Sequence, residues 1–372
     1  MSDPTDAKFM KRALTLAARA RGRTAPNPPV GAVVVQNGHI VGEGFHPKAG
    51  APHAEIFALQ QAGSAAKGAT LYVTLEPCAH TGKTPPCTLA IEQAGIARVV
   101  YAVSDPNPIA QGGAQHLRHR GIAVTTGVLE NPARELLAPF LSAVLRQRPY
   151  VELKIAATLD GRIADRDGKS RYITGTVSRK RVHHMRNIVD AVLVGGNTLA
   201  HDNPQLTCRG IVGGRDPIRI VVDPHLRYAR PDMALFHEGT SPIWVCVKAT
   251  LNPAMFSAFS ETTVEFLRIP CDDTGRMDPR AILTALLERN VHHVLCEGGA
   301  YTAGVFLESG LVDRIHFVYA PCLLLDTKAI PMLVLDQKRH IDASIAVHNV
   351  RVRRSGEDIW VQADIVHPGT GM

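Results

Sequence analysis

Apolar positions recur along the first part of the chain with two alternating periods. A period of three to four residues marks a helix over residues 8–19, and apolar runs mark strands at 30–35 and 40–44. Asn37-Gly38 joins those strands; both residues tolerate positive φ, so the pair predicts a hairpin. A helix begins near His53, followed by a strand at 70–75, a helix from about Cys87 and a strand at 98–103. A helix after Gly112 and a strand at 122–126 complete the unit. The ββαβαβαβ order predicts one mixed sheet with helices on both faces.

The segment 145–150, Leu-Arg-Gln-Arg-Pro-Tyr, breaks this pattern with charges and a proline, and a fresh strand starts at Val151. A domain boundary is placed there, giving domains at 1–146 and 150–368. Beyond it, strands are predicted near 191–194, 218–222, 243–247, 264–269, 293–296 and 314–320. Helices are predicted at about 178–186, 279–288 and 301–309. Two further strand patterns, 344–353 and 359–366, have no helix between them, which predicts an antiparallel edge on a second α/β domain.

A length of 372 residues, at about 150 per domain, agrees with two domains. Hydrophobic residues at 45% and charged residues at 20% describe a globular chain and exclude a disordered or low-complexity one. No apolar stretch approaches the roughly 18 residues that cross a bilayer, and the start lacks the layout of a secretory signal. A cytoplasmic protein with no membrane partner is expected. Lys plus Arg 41 against Asp plus Glu 34 leaves a formal charge of +7, which favours an anionic partner. The basic residues are scattered and aromatics make up only 5%, so a phosphorylated small molecule is expected rather than nucleic acid. An odd count of 7 widely spread cysteines points to metal binding or burial, not to a disulfide framework.

His53-Ala54-Glu55, Pro77-Cys78 and Pro86-Cys87 supply one imidazole, two potential thiolates and a carboxylate. Three ligands, His53, Cys78 and Cys87, would leave the fourth tetrahedral corner of a zinc ion open, as catalytic sites do. Zinc there generates hydroxide from water near neutral pH. Glu55 follows His53 by two residues and on a helix would face elsewhere, so it is read as the proton carrier and not as a ligand. Zinc deaminases carry H-x-E followed by P-C-x-x-C; here the second cysteine follows the first as Cys-x8-Cys. The second domain offers no G-x-G-x-x-G after its first strand. It does offer Glu297-Gly298-Gly299-Ala300 at a strand-to-helix turn, where backbone amides can approach phosphate.

The run Pro-Cys-Ala-His-Thr-Gly-Lys-Thr-Pro-Pro-Cys at 77–87, with Pro-Asn-Pro-Pro-Val-Gly-Ala-Val-Val-Val at 26–35 and the His53 motif, resembles the deaminase half of bifunctional riboflavin-biosynthesis deaminase/reductases. Lys154-x-Ala156-x-x-Leu159-Asp160-Gly161, Ile173-Thr174-Gly175, the run 190–195 and Thr198-x-x-x-Asp202-x-Pro204-x-Leu206-Thr207-x-Arg209 resemble its reductase half. The resemblance spans about residues 8–320. It implies a cytidine-deaminase-like three-layer α/β/α domain followed by a dihydrofolate-reductase-like α/β domain with a mixed sheet. It also implies zinc and NADPH as cofactors, and a phosphoribosylaminopyrimidine that is first deaminated and then reduced on its ribosyl chain. A homo-oligomer is expected.

Carried over by position, the resemblance assigns Asn27, His46, His80, Lys83 and Thr84 to the pyrimidine substrate. Asn27, between prolines, also reads as a turn residue. Ser170, Arg186, Leu206, Arg209 and Glu297 resemble ribosyl-phosphate contacts. Ala156, Thr198, Asp202, Gly298 and Gly299 resemble cofactor contacts, and Tyr172 stands where relatives carry a tryptophan, keeping an aromatic surface. Lys154 and Asp202 are the candidate proton sources of the reductive step. Asp223 ends a strand, where an acid ordinarily pairs with a ribose hydroxyl and favours NAD; the choice of NADPH therefore rests on the resemblance. Two rivals remain: an RNA base deaminase with a non-catalytic nucleotide-binding second domain, and a deaminase whose second domain is only regulatory.

Overall fold

A computed structural model describes residues 3–80, 85–170, 172–334 and 340–367. The chain divides into two compact units, Met1–Arg148 and Pro149–Met372.

The first unit runs α1 (Pro4–Ala18), β1 (Gly31–Gln36), β2 (His39–Phe45), α2 (Ala54–Ala62), β3 (Thr70–Leu75), α3 (Cys87–Gln93), β4 (Arg98–Val103), α4 (Gly113–His119), β5 (Ala123–Thr126) and α5 (Glu130–Leu145). Its strands form one sheet in the order β2-β1-β3-β4-β5. β1 is antiparallel to β2 and β3, whereas β3, β4 and β5 run parallel. Asn37 and Gly38 both adopt positive φ, 51° and 77°, so the hairpin forms as their chemistry dictates. α1 and α5 cover one face and α2 and α3 the other. The buried Asp6 fixes α1 to the sheet: it accepts from Tyr72 Oη at 2.8 Å and from both Arg98 amino groups at 3.0 and 2.6 Å. α2 lies unusually close to β2 because Gly42 and Gly44 have no side chains; a Cβ at either would lie within 2.3 Å of a backbone oxygen of α2.

The second unit runs β6 (Tyr150–Thr158), β7 (Arg162–Ala164), α6 (Thr176–Ile188), β8 (Ala191–Gly195), α7 (Gly196–Asp202), β9 (Ile218–Val222), α8 (Ala234–His237) and β10 (Ile243–Lys248). It continues with β11 (Val264–Ile269), α9 (Pro279–Leu287), β12 (His293–Cys296), α10 (Ala300–Glu308), β13 (Arg314–Ala320), β14 (Ile330–Pro331), β15 (Val347–Ser355) and β16 (Asp358–Ile365). Nine strands form a sheet in the order β11-β10-β9-β8-β12-β6-β13-β16-β15, and β14 pairs with β7 separately. The strands from β11 to β13 are parallel and β16 and β15 are antiparallel additions, as the two helix-free terminal patterns predict. A buried carboxylate ties four strands together. Glu152 on β6 accepts from His293 Nε2 at 3.0 Å and His316 Nε2 at 2.7 Å. Trp360 Nε1 donates to His316 Nδ1, which fixes that ring's tautomer.

Candidate functional site

Three side chains far apart in sequence meet at the carboxyl edge of the first sheet. His53 is the N-cap of α2 and makes no side-chain cap bond, which leaves its imidazole available. Cys78 follows the end of β3, and Cys87 opens α3. His53 Nδ1 lies 3.2 Å from Cys87 Sγ and 3.7 Å from Cys78 Sγ, and the three ligand atoms all fall within 4.8 Å of one another. Zinc bonds of about 2.3 Å to sulfur and 2.0–2.1 Å to nitrogen at tetrahedral angles separate N from S by roughly 3.5 Å. The donor set fits zinc in kind and in spacing.

The electrostatics point the same way. A hydrogen bond from Cys87, aided by His53, pulls the Cys78 thiol down to about 4. The same bond pushes Cys87 up. The backbone N–H of Cys87 also donates to Cys78 Sγ at 3.4 Å, at the positive end of α3. Glu55 is 4% exposed, and burial raises its carboxyl above the ordinary range, so this group readily holds a proton.

Asn27 and His46 join this site through one chain of contacts. Asn27 Nδ2 donates to His46 Nε2 at 3.1 Å, and His46 Nδ1 donates to the Pro52 carbonyl at 3.0 Å, next to His53. The His46 and His53 rings meet edge to face at 5.6 Å. His80 is half-buried, and its Nδ1 has no hydrogen-bond partner among the described residues. Lys83 and Thr84 lie outside the described residues. Two acids here escaped the sequence reading. Glu76 accepts from Asp105 N at 3.2 Å and Ala114 N at 2.9 Å, which anchors the Pro77-Cys78 turn. Burial pushes Asp105, just past β4, up to about 6. The available signal was position, since parallel strands present their sites at their carboxyl ends.

In the second unit Arg186, on the last turn of α6, grips Glu297 through Nε at 2.7 Å and Nη2 at 3.0 Å. Its Nη1 donates to the Thr207 carbonyl at 3.0 Å. Burial lowers the pKa of Lys154, with Arg186 acting in the same direction and Glu297 and Asp358 opposing it. Burial opposes ionising Glu297, yet Arg186 and Lys154 outweigh it and hold the carboxyl below its ordinary range. Arg209 is exposed; its Nη1 donates to Thr207 Oγ1 at 2.7 Å, and its backbone N–H to His183 Nδ1 at 3.1 Å. Leu206, which precedes Thr207, is buried with φ of 56°. His183 was not among the sequence candidates; burial, with Arg186 and Arg209, lowers its pKa.

The remaining candidates fall on the turns after β8 and β12. Gly299 N donates to Thr198 Oγ1 at 2.8 Å, and a Cβ at Gly299 would lie 2.9 Å from that oxygen. Gly298 closes the same turn against Thr302. Ser170 Oγ donates to Asp202 Oδ1 at 2.6 Å. Ala156 pairs in register with Val318 of β13. Tyr172 stands 72% exposed with the Arg179 guanidinium 4.6 Å from its ring centre. The expectation that Asp223 offers itself to a ribose fails. Its Oδ1 accepts from Arg227 N and its Oδ2 from Tyr228 N and Ala229 N, so it closes its own loop.

Comparison with known proteins gives one consistent answer. Residues 3–103 match the cytidine and deoxycytidylate deaminase zinc-binding region, and residues 149–361 match the RibD C-terminal domain. The chain is 44% identical over 357 residues to riboflavin biosynthesis protein RibD of Aquifex aeolicus, covering 96% of this chain and 97% of the relative. It is 37% identical to the Escherichia coli protein over 371 residues, covering 93% and 99%. Among solved structures, Acinetobacter baumannii RibD superposes with a TM-score of 0.86 at 36% identity, covering 98% of this chain and 99% of that one. A diaminohydroxyphosphoribosylaminopyrimidine deaminase/5-amino-6-(5-phosphoribosylamino)uracil reductase of Thermotoga maritima gives 0.84 at 38% identity, covering 97% and 99%. The RNA-deaminase rival is not favoured by any of these, nor is a merely regulatory second domain. A cytidine-deaminase-like unit with a zinc-type donor set, followed by a dihydrofolate-reductase-like unit of the NADPH-using kind, places the chain in the RibD family of bifunctional deaminase/reductases of riboflavin biosynthesis.

Proposed function

We propose that His53, Cys78 and Cys87 hold zinc and that Glu55 carries the protons of deamination, within a domain at 1–146. The carrying observation is the convergence of the three ligand atoms within 4.8 Å beside a buried carboxyl. When bound, zinc supplies a Lewis acid that makes water nucleophilic near neutral pH. Glu55 takes a proton from the attacking water, delivers it to the pyrimidine ring nitrogen, and returns a proton to the departing amine as the C–N bond breaks. Asn27, His46 and His80 orient the base, and Lys83 and Thr84 take its phosphate. The substrate of this step is 2,5-diamino-6-(5-phosphoribosylamino)pyrimidin-4-one.

In a domain at 150–368, the reductive step converts the ribosyl chain of 5-amino-6-(5-phosphoribosylamino)uracil to ribityl. NADPH, when bound, supplies hydride. Ala156, Tyr172, Thr198, Asp202, Gly298 and Gly299 receive the cofactor. Ser170, Arg186, Leu206, Arg209 and Glu297 hold the ribosyl phosphate, Arg186 and Arg209 by charge-assisted hydrogen bonds. Lys154, whose burial favours giving up its proton, protonates the sugar oxygen, with Asp202 the second candidate. The chain works as a homo-oligomer; support comes from β15, an edge strand exposing Val347, Val350 and Val352. Seven free cysteines support a reducing, cytoplasmic setting. No helix of the described residues is long and apolar enough to cross a membrane.

The test is mass spectrometry of the product formed with and without NADPH, in wild type and Glu55→Gln. Wild type should lose one amine and gain two hydrogens only when NADPH is present. The variant should keep stoichiometric zinc, release no ammonia, and still reduce supplied intermediate. Ammonia release by Glu55→Gln removes Glu55 from its role.

A further inference from the structure

Tyr172 receives the cofactor in the reading above, and this inference rests on that reading. Its side chain is exposed, and its hydroxyl bonds to nothing among the described residues. The loop that carries it is fixed at both ends. Ser170 Oγ donates to Asp202 Oδ1 at 2.6 Å before it, and Gly175 N donates to Oδ2 of the buried Asp358 at 2.9 Å after it. An exposed aromatic side chain still turns about its own two torsions, so a fixed backbone does not by itself aim the ring.

Arg179 supplies that hold. It lies one turn into α6, its backbone N–H donating to the Gly175 carbonyl at 3.1 Å, and helical side chains lean back toward the start of their helix. Its guanidinium accordingly reaches the Tyr172 ring, with Cζ 4.6 Å from the ring centre, and its Nη1 donates to the Thr174 carbonyl at 2.6 Å. The hydrogen bond ties the guanidinium to the loop, and the guanidinium ties down the ring. No carboxylate is bonded to Arg179 among the described residues, so its charge remains available to the ring face. A cation near the positive end of a helix weakens that helix, and α6 has no acid in its first turn to offset it. Helix stability therefore does not account for an arginine here. With one face of the ring under the guanidinium, the opposite face is the one left to a ligand.

We propose that Arg179 is a positioning residue of the reductive step: it fixes Tyr172 as a platform on which a planar heterocycle of the cofactor stacks. The guanidinium acts through the ring and not on the cofactor itself. It holds the ring at one angle before the cofactor arrives, so the cost of ordering that side chain is not left to the binding step. The cofactor has two planar heterocycles, adenine and nicotinamide, and the platform suits either.

A double-mutant cycle of Arg179→Ala and Tyr172→Ala tests this, read by calorimetric titration of the full-length, zinc-loaded protein with NADPH and 2′,5′-ADP. Tyr172→Ala should weaken NADPH about tenfold through the lost stacking. Arg179→Ala should weaken it about two- to fivefold, the worth of an exposed cation–π contact. In the Tyr172→Ala background the arginine substitution should cost nothing further, because its effect passes through the ring. Arg179→Lys keeps the cation and should recover much of the loss; Tyr172→Phe should bind as wild type, since the hydroxyl is unbonded. The analogue 2′,5′-ADP carries adenine but no nicotinamide: it weakens in Arg179→Ala where adenine is the stacked ring and stays level where nicotinamide is. In steady state, KM for NADPH should rise while kcat and KM for the pyrimidine hold. Wild-type affinity in Arg179→Ala beside a weakened Tyr172→Ala overturns the proposal and spares the underlying reading. Additive losses in the double variant overturn it as well, because they mark a general effect on α6. A raised pyrimidine KM with NADPH unchanged gives the platform to the substrate and also overturns it. No effect of Tyr172→Ala means that the cofactor does not meet this ring, and the reading falls together with the proposal.

Discussion

Gly44 on β2 offers a way to move the deaminase machinery without touching it. A Cβ built there lies 2.3 Å from the Ala54 oxygen, 2.7 Å from Ala58 N and 2.7 Å from Phe57 Cβ, all on α2. Ordinary contact begins at 3.4 Å, so alanine requires 3.4 − 2.3, or about 1.1 Å, of separation. Two of the three atoms are backbone and cannot rotate aside, so the start of the helix must move as a body, and Ala54 sits between His53 and Glu55. A displacement of about 1 Å in a catalytic constellation can cost about 100-fold in rate. Gly44→Ala should therefore lower kcat for ammonia release about 100-fold and weaken zinc retention on dialysis, while NADPH oxidation with supplied intermediate stays normal. Gly38→Ala is the control. It has nothing within 4 Å but a φ of +77°, so it should cost about 1 kcal/mol of stability and leave deamination intact. Full zinc content and wild-type ammonia release in Gly44→Ala would refute the close-packing argument.

Two leucines with left-handed backbone should respond oppositely to glycine. Leu325 has φ of 52° and is 80% exposed, so Leu325→Gly should stabilise by up to about 1 kcal/mol in urea unfolding; Leu206, at 56° and buried, should lose about 2–4 kcal/mol through its cavity. Asp160 is held down to about 2 by its bonds to Thr158 Oγ1 and to the backbone N–H groups of Leu324 and Leu325. A depressed carboxyl stabilises the fold above its ordinary pKa and loses that effect as pH falls through the folded value. The Tm gap between wild type and Asp160→Asn should be full at pH 5 and above and should narrow between about pH 4 and pH 2; a gap independent of pH would contradict this.

Strands were legible wherever a continuous apolar run was bounded by turn residues, as at β3 and β4. α5 was not, because Pro139 lies inside it and prolines read as breakers. β7 and β14 were too short, three and two residues, to carry any period. The three candidate metal ligands that the structure brings together could be named from the sequence because their identities and order carry the chemistry. Glu76, Asp105 and His183 could not, since each matters through what it touches across the fold. Asp223 shows the opposite error: position at a strand end suggested a ligand, but three backbone donors within its own loop had already claimed it.

If the Arg186 cluster takes the substrate phosphate, as proposed above, it shows how one buried acid can serve a site for an anion. A guanidinium has five N–H donors, and Arg186 commits one from Nε, one from Nη2 and one from Nη1 to Glu297 and Thr207. Two N–H groups remain, one on each terminal nitrogen, on a fork that can no longer turn. Glu297 thus trades one negative charge for orientation. With Lys154 the cluster still sums to +1 by two cations against one anion. Without Glu297 the charge would be higher, but a mobile arginine would have to be ordered when the substrate binds, and ordering a long side chain costs about 0.5–1.5 kcal/mol. The acid also keeps a second cation tolerable beside Arg186, since burial and Arg186 both lower the tendency of Lys154 to stay charged. In the reading proposed above, a substrate phosphate meets donors that this acid has already aimed.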